Sequence, residues 1–353
     1  KTFVGLVEGL AESVSSLLKL PAGWYSDRLR KRKGVVIAGY SIASLIRPLL
    51  AIATAAWHVL ALRFIDRLGK GVRSAPRDAM IADAAPLETR GLAFGFHRAM
   101  DHVGAIAGSL LAAWLVSLFH NDYRKIFWVA AIPGVVTLLI LIFIVREQPR
   151  PTTTKAPAPF SFKLSGFPPV FKYFLGVLLL FTLSNSSDAF LLLRAKESGI
   201  STVMIPILWA VLHVSKTVSS VIGGGLSDRF GRRKLIVSGW LLYAGIYLGF
   251  ALTVSSPVMW VLFIIYGFYF GLTEGTEKAL VADLVEDEKR GTAYGLYALA
   301  FGITVFPASL LLGAIWSAFG ASYAFIFSSF LSICAAFLIL TVQTSKIENA
   351  KGN

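Results

Sequence analysis

The segment RFIDRLGKGVRSAPRDAMIAD, from Arg63 to Asp83, carries Asp66, Lys70, Arg73 and Arg77 at spacings of four, three and four. On a helix this spacing places all four side chains on one face. Guanidinium and ammonium groups gathered there can bind an anion, and a carboxylate among them can take up and release a proton. A charge at the centre of a bilayer costs about 2.5–3.5 kcal/mol even on insertion scales, so such a face must turn to protein or to a water-filled cavity. Structural ion pairing and solute binding are both open readings for Arg63, Asp66, Arg67, Lys70 and Arg73. Gly69 and Gly71 permit another backbone to approach, and Pro76 can kink the helix. Gly69-Lys70-Gly71 is not a phosphate loop, because no glycine stands five residues before Gly69 and no Ser or Thr follows Lys70.

Other titratable groups sit in apolar surroundings: Glu8, Glu12 and Lys19, then Arg47, Asp188, His213 and Lys216, and further on Glu274, Glu277 and Lys278. His97 and Asp101 are one turn apart, as are Arg98 and His102, which suits a proton relay or a satisfied polar pair. In the first half, Lys19, Arg47, Arg63, Arg67, Lys70, Arg73, Arg77 and Arg98 outnumber Glu8, Glu12, Asp66, Asp78 and Asp101. An anionic or amphiphilic small molecule complements that surplus, and Glu12, Asp66, Asp101 or Glu274 can carry a coupling proton.

The elements that must hold these groups are helices in a bilayer. Of 353 residues 56% are hydrophobic and only 15% charged, with a mean hydropathy of +0.68, and the apolar runs reach the roughly 20 residues a spanning helix needs. The expected fold class is an all-α integral membrane protein. Eleven spans are expected near residues 2–22, 34–55, 57–81, 91–119, 125–145, 171–192, 202–226, 235–254, 257–282, 291–318 and 321–342. The short alternating runs of a transmembrane barrel are absent.

The chain repeats itself. GWYSDRLRKRK at Gly23 to Lys33 returns as GGLSDRFGRRK at Gly224 to Lys234, and subtracting Asp27 from Asp228 gives an offset of 201 residues. ADAAPLETRG, with Asp83, Arg90 and Gly91, returns as ADLVEDEKRG, with Asp283, Arg290 and Gly291, at an offset of 200. Internal repeats in a hydrophobic chain are a mark of secondary transporters, whose halves rock about a central site. The expected organisation is a first bundle over residues 1–146, a Pro/Thr/Lys-rich linker over 147–170, a second bundle over 171–345 and a tail over 346–353. Basic residues crowd the repeated loops and the linker, which makes that side cytoplasmic and accounts for much of the net charge of +14. Charge scattered over short loops does not suit nucleic acid.

Both repeated loops resemble the loop between the second and third helices of each half in the major facilitator superfamily: Gly, three residues, Asp, Arg or Lys, one residue, Gly, then basic residues. Gly23, Asp27 and Arg28 fit in the first copy, where Arg30 occupies the glycine place; Gly224, Asp228, Arg229, Gly231, Arg232 and Arg233 fit in the second. The resemblance covers essentially the whole chain. It implies two pseudo-symmetric bundles of six helices each; the first half shows five spans, so one N-terminal helix is expected beyond Lys1. It also implies that the two aspartates close the cytoplasmic side by contact with a helix N-terminus and with nearby arginines, Asp27 with Arg90 or Arg290. The segment DRLGKGVRSAPRDA looks like a poorly characterised prokaryotic branch. Arg63 matches an arginine of family antiporters, and Gly104, Gly108, Ser109, Ala112 and Ala113 are similar to their glycine-rich pattern, which implies export or helix packing. The offset of 200 pairs Arg77 with Glu277 and Asp78 with Lys278, suggesting salt bridges across the two-fold or a local Glu274–Lys278 pair.

A transporter of a small organic solute follows, working by alternating access, proton-coupled and exporting, with proton-coupled import of an organic anion or a non-transporting sensor as alternatives. An enzyme is not expected: the five histidines are dispersed and neither HExxH nor GxSxG occurs. The single cysteine, Cys334, leaves no Cys-based metal or redox site. No cofactor or metal is expected; the partners are the solute, protons and the lipid bilayer, with the chain as a monomer.

Overall fold

The computed structural model describes residues 2–29, 31–120, 122–147, 164–185, 187–201 and 204–342, with backbone alone for 2–14, 56, 109, 113, 165 and 306. Thirteen α-helices are described: α1 (Thr2–Asp27), α2 (Lys33–Leu49), α3 (Ala56–Ala84), α4 (Arg90–Leu118), α5 (Tyr123–Val129), α6 (Ala131–Leu139), α7 (Pro169–Ser184), α8 (Ala189–Glu197), α9 (Ile205–Phe230), α10 (Arg232–Leu252), α11 (Ser256–Leu284), α12 (Arg290–Phe319) and α13 (Ala321–Ile339). An unpaired backbone group in hydrocarbon costs several kcal/mol, so helices that satisfy their own backbones are the structure this composition dictates.

Among the described residues nine helical runs are long and apolar enough to cross a membrane. Apolarity alone therefore does not deliver the expected eleven. The remaining two long helices, α1 with 26 residues and α3 with 29, have the length to cross, about 39 and 44 Å at 1.5 Å per residue. Charge rather than length sets α3 apart, and it continues unbroken through Pro76.

Two expected spans are interrupted. The run Pro169–Glu197 breaks between Ser184 and Ala189, where Asn185, Ser187 and Asp188 offer side chains that compete with helical hydrogen bonds. The Ser187 N–H is instead donated to Ser309 Oγ at 3.2 Å. The run Tyr123–Ile144 has a joint at Ala130 between α5 and α6, four residues before Gly134 and three before Pro133, which has no N–H to donate back. It ends in a wider π-type turn over Ile140–Ile144.

The chain divides into two compact units, each drawing on both sequence halves. The first comprises Lys1–Ala84, Gly108–Lys163 and Val285–Gly302; the second comprises Ala85–Ala107, Leu164–Leu284 and Ile303–Asn353. In the first unit α3 packs on α1 and α2 through its glycines: a Cβ on Gly69 would strike the Gly39 carbonyl, and one on Gly71 the Ser15 carbonyl. In the second unit α9 and α11 meet at Gly223 and Gly271, where a Cβ on Gly223 would overlap the Gly271 carbonyl. Ser215 Oγ donates across that contact to Ile264 O at 2.6 Å, and Ser219 Oγ to Gly267 O at 2.8 Å. Small residues and hydroxyls are what hold helices together where lipid competes equally for apolar surface. Beside them lies an aromatic core in which Phe181 stacks on Trp240 with centroids 4.3 Å apart, and Tyr243 on Tyr247 at 4.0 Å.

Candidate functional site

Asp27 ends α1, and its carboxylate reaches the first turn of α12. It accepts from the Gly291 N–H at 2.8 Å, the Thr292 N–H at 2.7 Å and Thr292 Oγ1 at 2.6 Å. Asp228, near the end of α9, does the same to α4, accepting from the N–H groups of Gly91 at 3.0 Å and Leu92 at 2.8 Å. First-turn N–H groups have no partner within their helix and carry its positive end, so a carboxylate there is favoured by hydrogen bonding and by charge. Residues 91 and 291 differ by 200, and each aspartate caps a helix of the other sequence half.

Glycine makes these approaches possible. A Cβ on Gly23 would overlap the Gly291 carbonyl, and one on Gly224 would run into Gly91 O and Gly95 Cα. Any side chain at Gly23 or Gly224 would push the capped helix away.

An arginine locks each cap. Arg32 is fully buried and holds Asp27 at 2.6 Å, together with Asp83. Arg232 holds Asp228 and, at 3.1 Å, Asp283. Arg290 joins Asp83 at 2.8 Å and Asp287 at 2.7 Å, while Arg90 joins Asp283 at 2.5 Å. Each network thus has one aspartate on a helix end, one arginine behind it, and an Asp–Arg pair from the second repeated string. Arg32 pairs with Asp27, while Arg90 and Arg290 hold Asp283 and Asp83. Arg28 lies over the Trp24 ring at 3.4 Å, and Arg229 is exposed. Burial pushes the Asp27 carboxyl up from its ordinary value, against the opposing pull of Arg32 and the Thr292 hydrogen bonds.

Arg32 and Arg232 are the residues that sequence reasoning underrates, since both sit in basic runs that look like topology signals. Their signal is the repeat: five residues separate Asp27 from Arg32 and four separate Asp228 from Arg232. That single difference converts the offset of 201 into 200. In the second loop Gly231, at φ +91°, makes the tight turn between α9 and α10; Arg30, in the corresponding stretch of the first, lies outside the described residues. Glu147 was also missed: its two carboxylate oxygens accept from the N–H groups of Arg32 at 2.6 Å and Lys33 at 2.8 Å, fixing the start of α2.

A second cluster lies in the second unit, on facing sides of α4, α9 and α11. Arg98 Nη2 stands 3.4 Å and His102 Nε2 3.6 Å from the Glu274 carboxylate. Asp101 turns to the same group, 3.3 Å from Arg98 and 3.6 Å from His97. The His102 ring meets His213 edge to face at 5.6 Å. Lys216, three residues beyond His213, stands 3.7 Å from Asp188 at the start of α8, and Asp188 accepts from Tyr266 Oη at 2.9 Å. Glu274 therefore pairs with Arg98 and His102 on α4.

On α3 the structure places Asp66 3.0 Å from Arg47 and Arg73 over the Tyr40 ring at 4.2 Å. Arg67, Lys70 and Arg73 are half-buried and Arg63 is exposed. Arg77 donates to Asp78 at 3.2 Å. Glu277 is buried and accepts from Trp240 Nε1 at 3.1 Å; Lys278 is buried as well. A Cβ at Gly104 or Gly108 would meet nothing within 4 Å. The side chains of Glu12, Ser109 and Ala113, the linker residues 148–163 and the tail 346–353 lie outside the described residues.

Helices of spanning length whose ends are capped by carboxylates from another repeat define a multi-pass membrane protein. The sequence profile of the Major Facilitator Superfamily matches residues 1–303 and 174–353, and the chain belongs to that family of transporters. An uncharacterised MFS-type transporter of Methanocaldococcus jannaschii is 35% identical over 345 residues, 96% of this chain and 85% of the relative. A cis,cis-muconate transport protein of Acinetobacter baylyi is 24% identical over 291 residues, 77% of this chain and 68% of its own. Among solved structures, the human organic anion transporter MFSD10 (TETRAN) shares the fold with a TM-score of 0.79 at 18% identity, covering 96% of this chain and 83% of that one.

Proposed function

We propose that this protein is a proton-coupled carrier of a small organic anion in the cell membrane. The observation that carries the proposal is the pairing of every cation in the second-unit cluster with a carboxylate: Arg98 and His102 with Glu274, Lys216 with Asp188. A solute anion competes with those carboxylates for the same cations. Protonating Glu274 removes the competitor and releases Arg98 and His102, so a proton and an anion bind better together than either alone. Linked binding of this kind is reciprocal. It gives symport, and with a proton gradient directed inward the direction is uptake. The cationic face of α3, with Arg63, Arg67, Lys70 and Arg73, and the muconate transport activity in the name of one relative point to the same solute charge.

The two capped networks supply the cytoplasmic gate in this account. The basic residues of the repeated loops put that end inside. Caps that hold α4 and α12 by their first turns must break for the inward-facing state to form. Export by exchange, which the small residues of α4 suggest, is the competing direction. Protein reconstituted in vesicles with an internal pH dye decides between them. Addition of muconate or benzoate should acidify the lumen under symport, whereas exchange alkalinises it and carriage without protons leaves the dye unchanged.

A further inference from the structure

Lys216 is a buried charge of the second unit held by one long ion pair. It is 5% exposed, yet its only ion-pair partner among the described residues, Asp188, is 3.7 Å away. That exceeds the 2.7–3.2 Å of an N–H···O bond, and Asp188 already accepts from Tyr266 at 2.9 Å. An ammonium has three donors and no acceptor; here it makes no hydrogen bond to a described residue. What surrounds it is aromatic. Its Nζ lies 3.5 Å from the centroid of Phe270, 5.7 Å from Trp209 and 6.0 Å from Tyr266. Phe270 meets Tyr266 edge to face at 5.1 Å, and Trp209 lies 5.1 Å from His213. Trp209, His213 and Phe270 are half-buried, so their rings keep open surface beside a cation whose donors are unused.

From this we infer that Lys216 is the anchor for the solute's carboxylate and that the rings of Trp209, His213 and Phe270 receive a planar, conjugated or aromatic body. The inference rests on the organic-anion proposal and narrows it from anions in general to planar monocarboxylates and their close relatives. Two physical features separate these from aliphatic acids of equal charge and similar size. Flat π-systems gain offset-stacked or edge-to-face contacts with the rings beyond the area they bury. A carboxylate on such a body lies in or near the plane of the ring, where one ammonium flanked by ring faces can meet it.

The test compares benzoate with cyclohexanecarboxylate, which has the same charge and carbon count but no flat ring, by calorimetry on the full-length protein in detergent. Benzoate should bind about tenfold more tightly, the preference that stacking against two or three rings supplies. Lys216→Gln should abolish benzoate binding and Lys216→Arg should restore it, while Trp209→Leu with Phe270→Leu should erase the preference between the two acids. Because the ligand comparison is made on unaltered protein, misfolding of a variant leaves it intact. Equal affinities, or a preference that survives loss of both rings, would overturn the planar-solute inference with the anion reading still standing. Binding of benzoate that is indifferent to Lys216→Gln would remove the anchor. If no carboxylate binds at all, the anion proposal itself fails.

Discussion

Asp27 and Asp228 each direct both carboxylate oxygens to a helix from the other half of the sequence. Asp27→Asn keeps the size but loses the charge, so the α12 cap weakens and Arg32 faces Asp83 alone. We expect a stability loss of about 1–2 kcal/mol, the range of a strong helix cap. Transport should fall at least tenfold, while Glu288→Gln, on an exposed turn, should change neither quantity. Thermal denaturation in detergent and vesicle transport check both, and Asp228→Asn should behave as Asp27→Asn does. Asp27, Asp228, Asp83, Arg90 and their partners were legible because each string occurs twice. That the aspartates meet a helix N-terminus followed from the resemblance; that the helix capped by Asp27 is α12 did not. A carboxylate aimed at backbone N–H groups leaves no trace in side-chain pairing, and an arginine in a basic run looks like a topology signal until its burial is seen. Glu274, Arg98 and His102 were each visible as intramembrane charge, but their meeting depends on α4 and α11 packing across the sequence midpoint.

At the scale of helices, hydropathy located the spans well wherever one face is lipid-exposed and the whole run apolar. It joined α7 to α8, since four polar residues between two leucine-rich segments barely lower a window average, although Asn-Ser-Ser-Asp is itself a turn signal. On α3 charge masks a helix of full spanning length. Two glycines test the close packing directly. Gly23→Ala puts a methyl group into the Gly291 carbonyl and should destabilise by about 1–3 kcal/mol, as overpacking does. Gly231→Ala forces a side chain into φ +91° and should cost about 1–2 kcal/mol. Gly176→Ala, where a Cβ meets nothing within 4 Å, should be neutral. Thermal midpoints of the three variants in one detergent give the ranking; a Gly23→Ala protein as stable as Gly176→Ala would contradict the close contact.

For the whole molecule, the repeat that betrays two halves also explains why each compact unit draws on both of them: α4 and α12 carry their first turns to the aspartate of the opposite half. Two fragments, residues 1–147 and 164–353, expressed together without the segment between them, should therefore co-purify in mild detergent and retain solute binding. Separation of the fragments would show that the reciprocal caps do not hold the halves together. Composition, repeat and loop charge made the family legible, whereas solute and direction depend on which charges meet, and that is a property of the fold. The measurement that reaches the central claim most directly is proton movement on addition of muconate or benzoate to vesicles bearing the full-length protein, with an internal pH dye, for the native chain and for Glu274→Gln. The native protein should acidify the lumen as the anion enters; Glu274→Gln should still bind the anion but move no protons with it. Anion uptake of equal rate with the proton gradient collapsed, or alkalinisation on anion addition, would contradict proton-coupled uptake through this cluster.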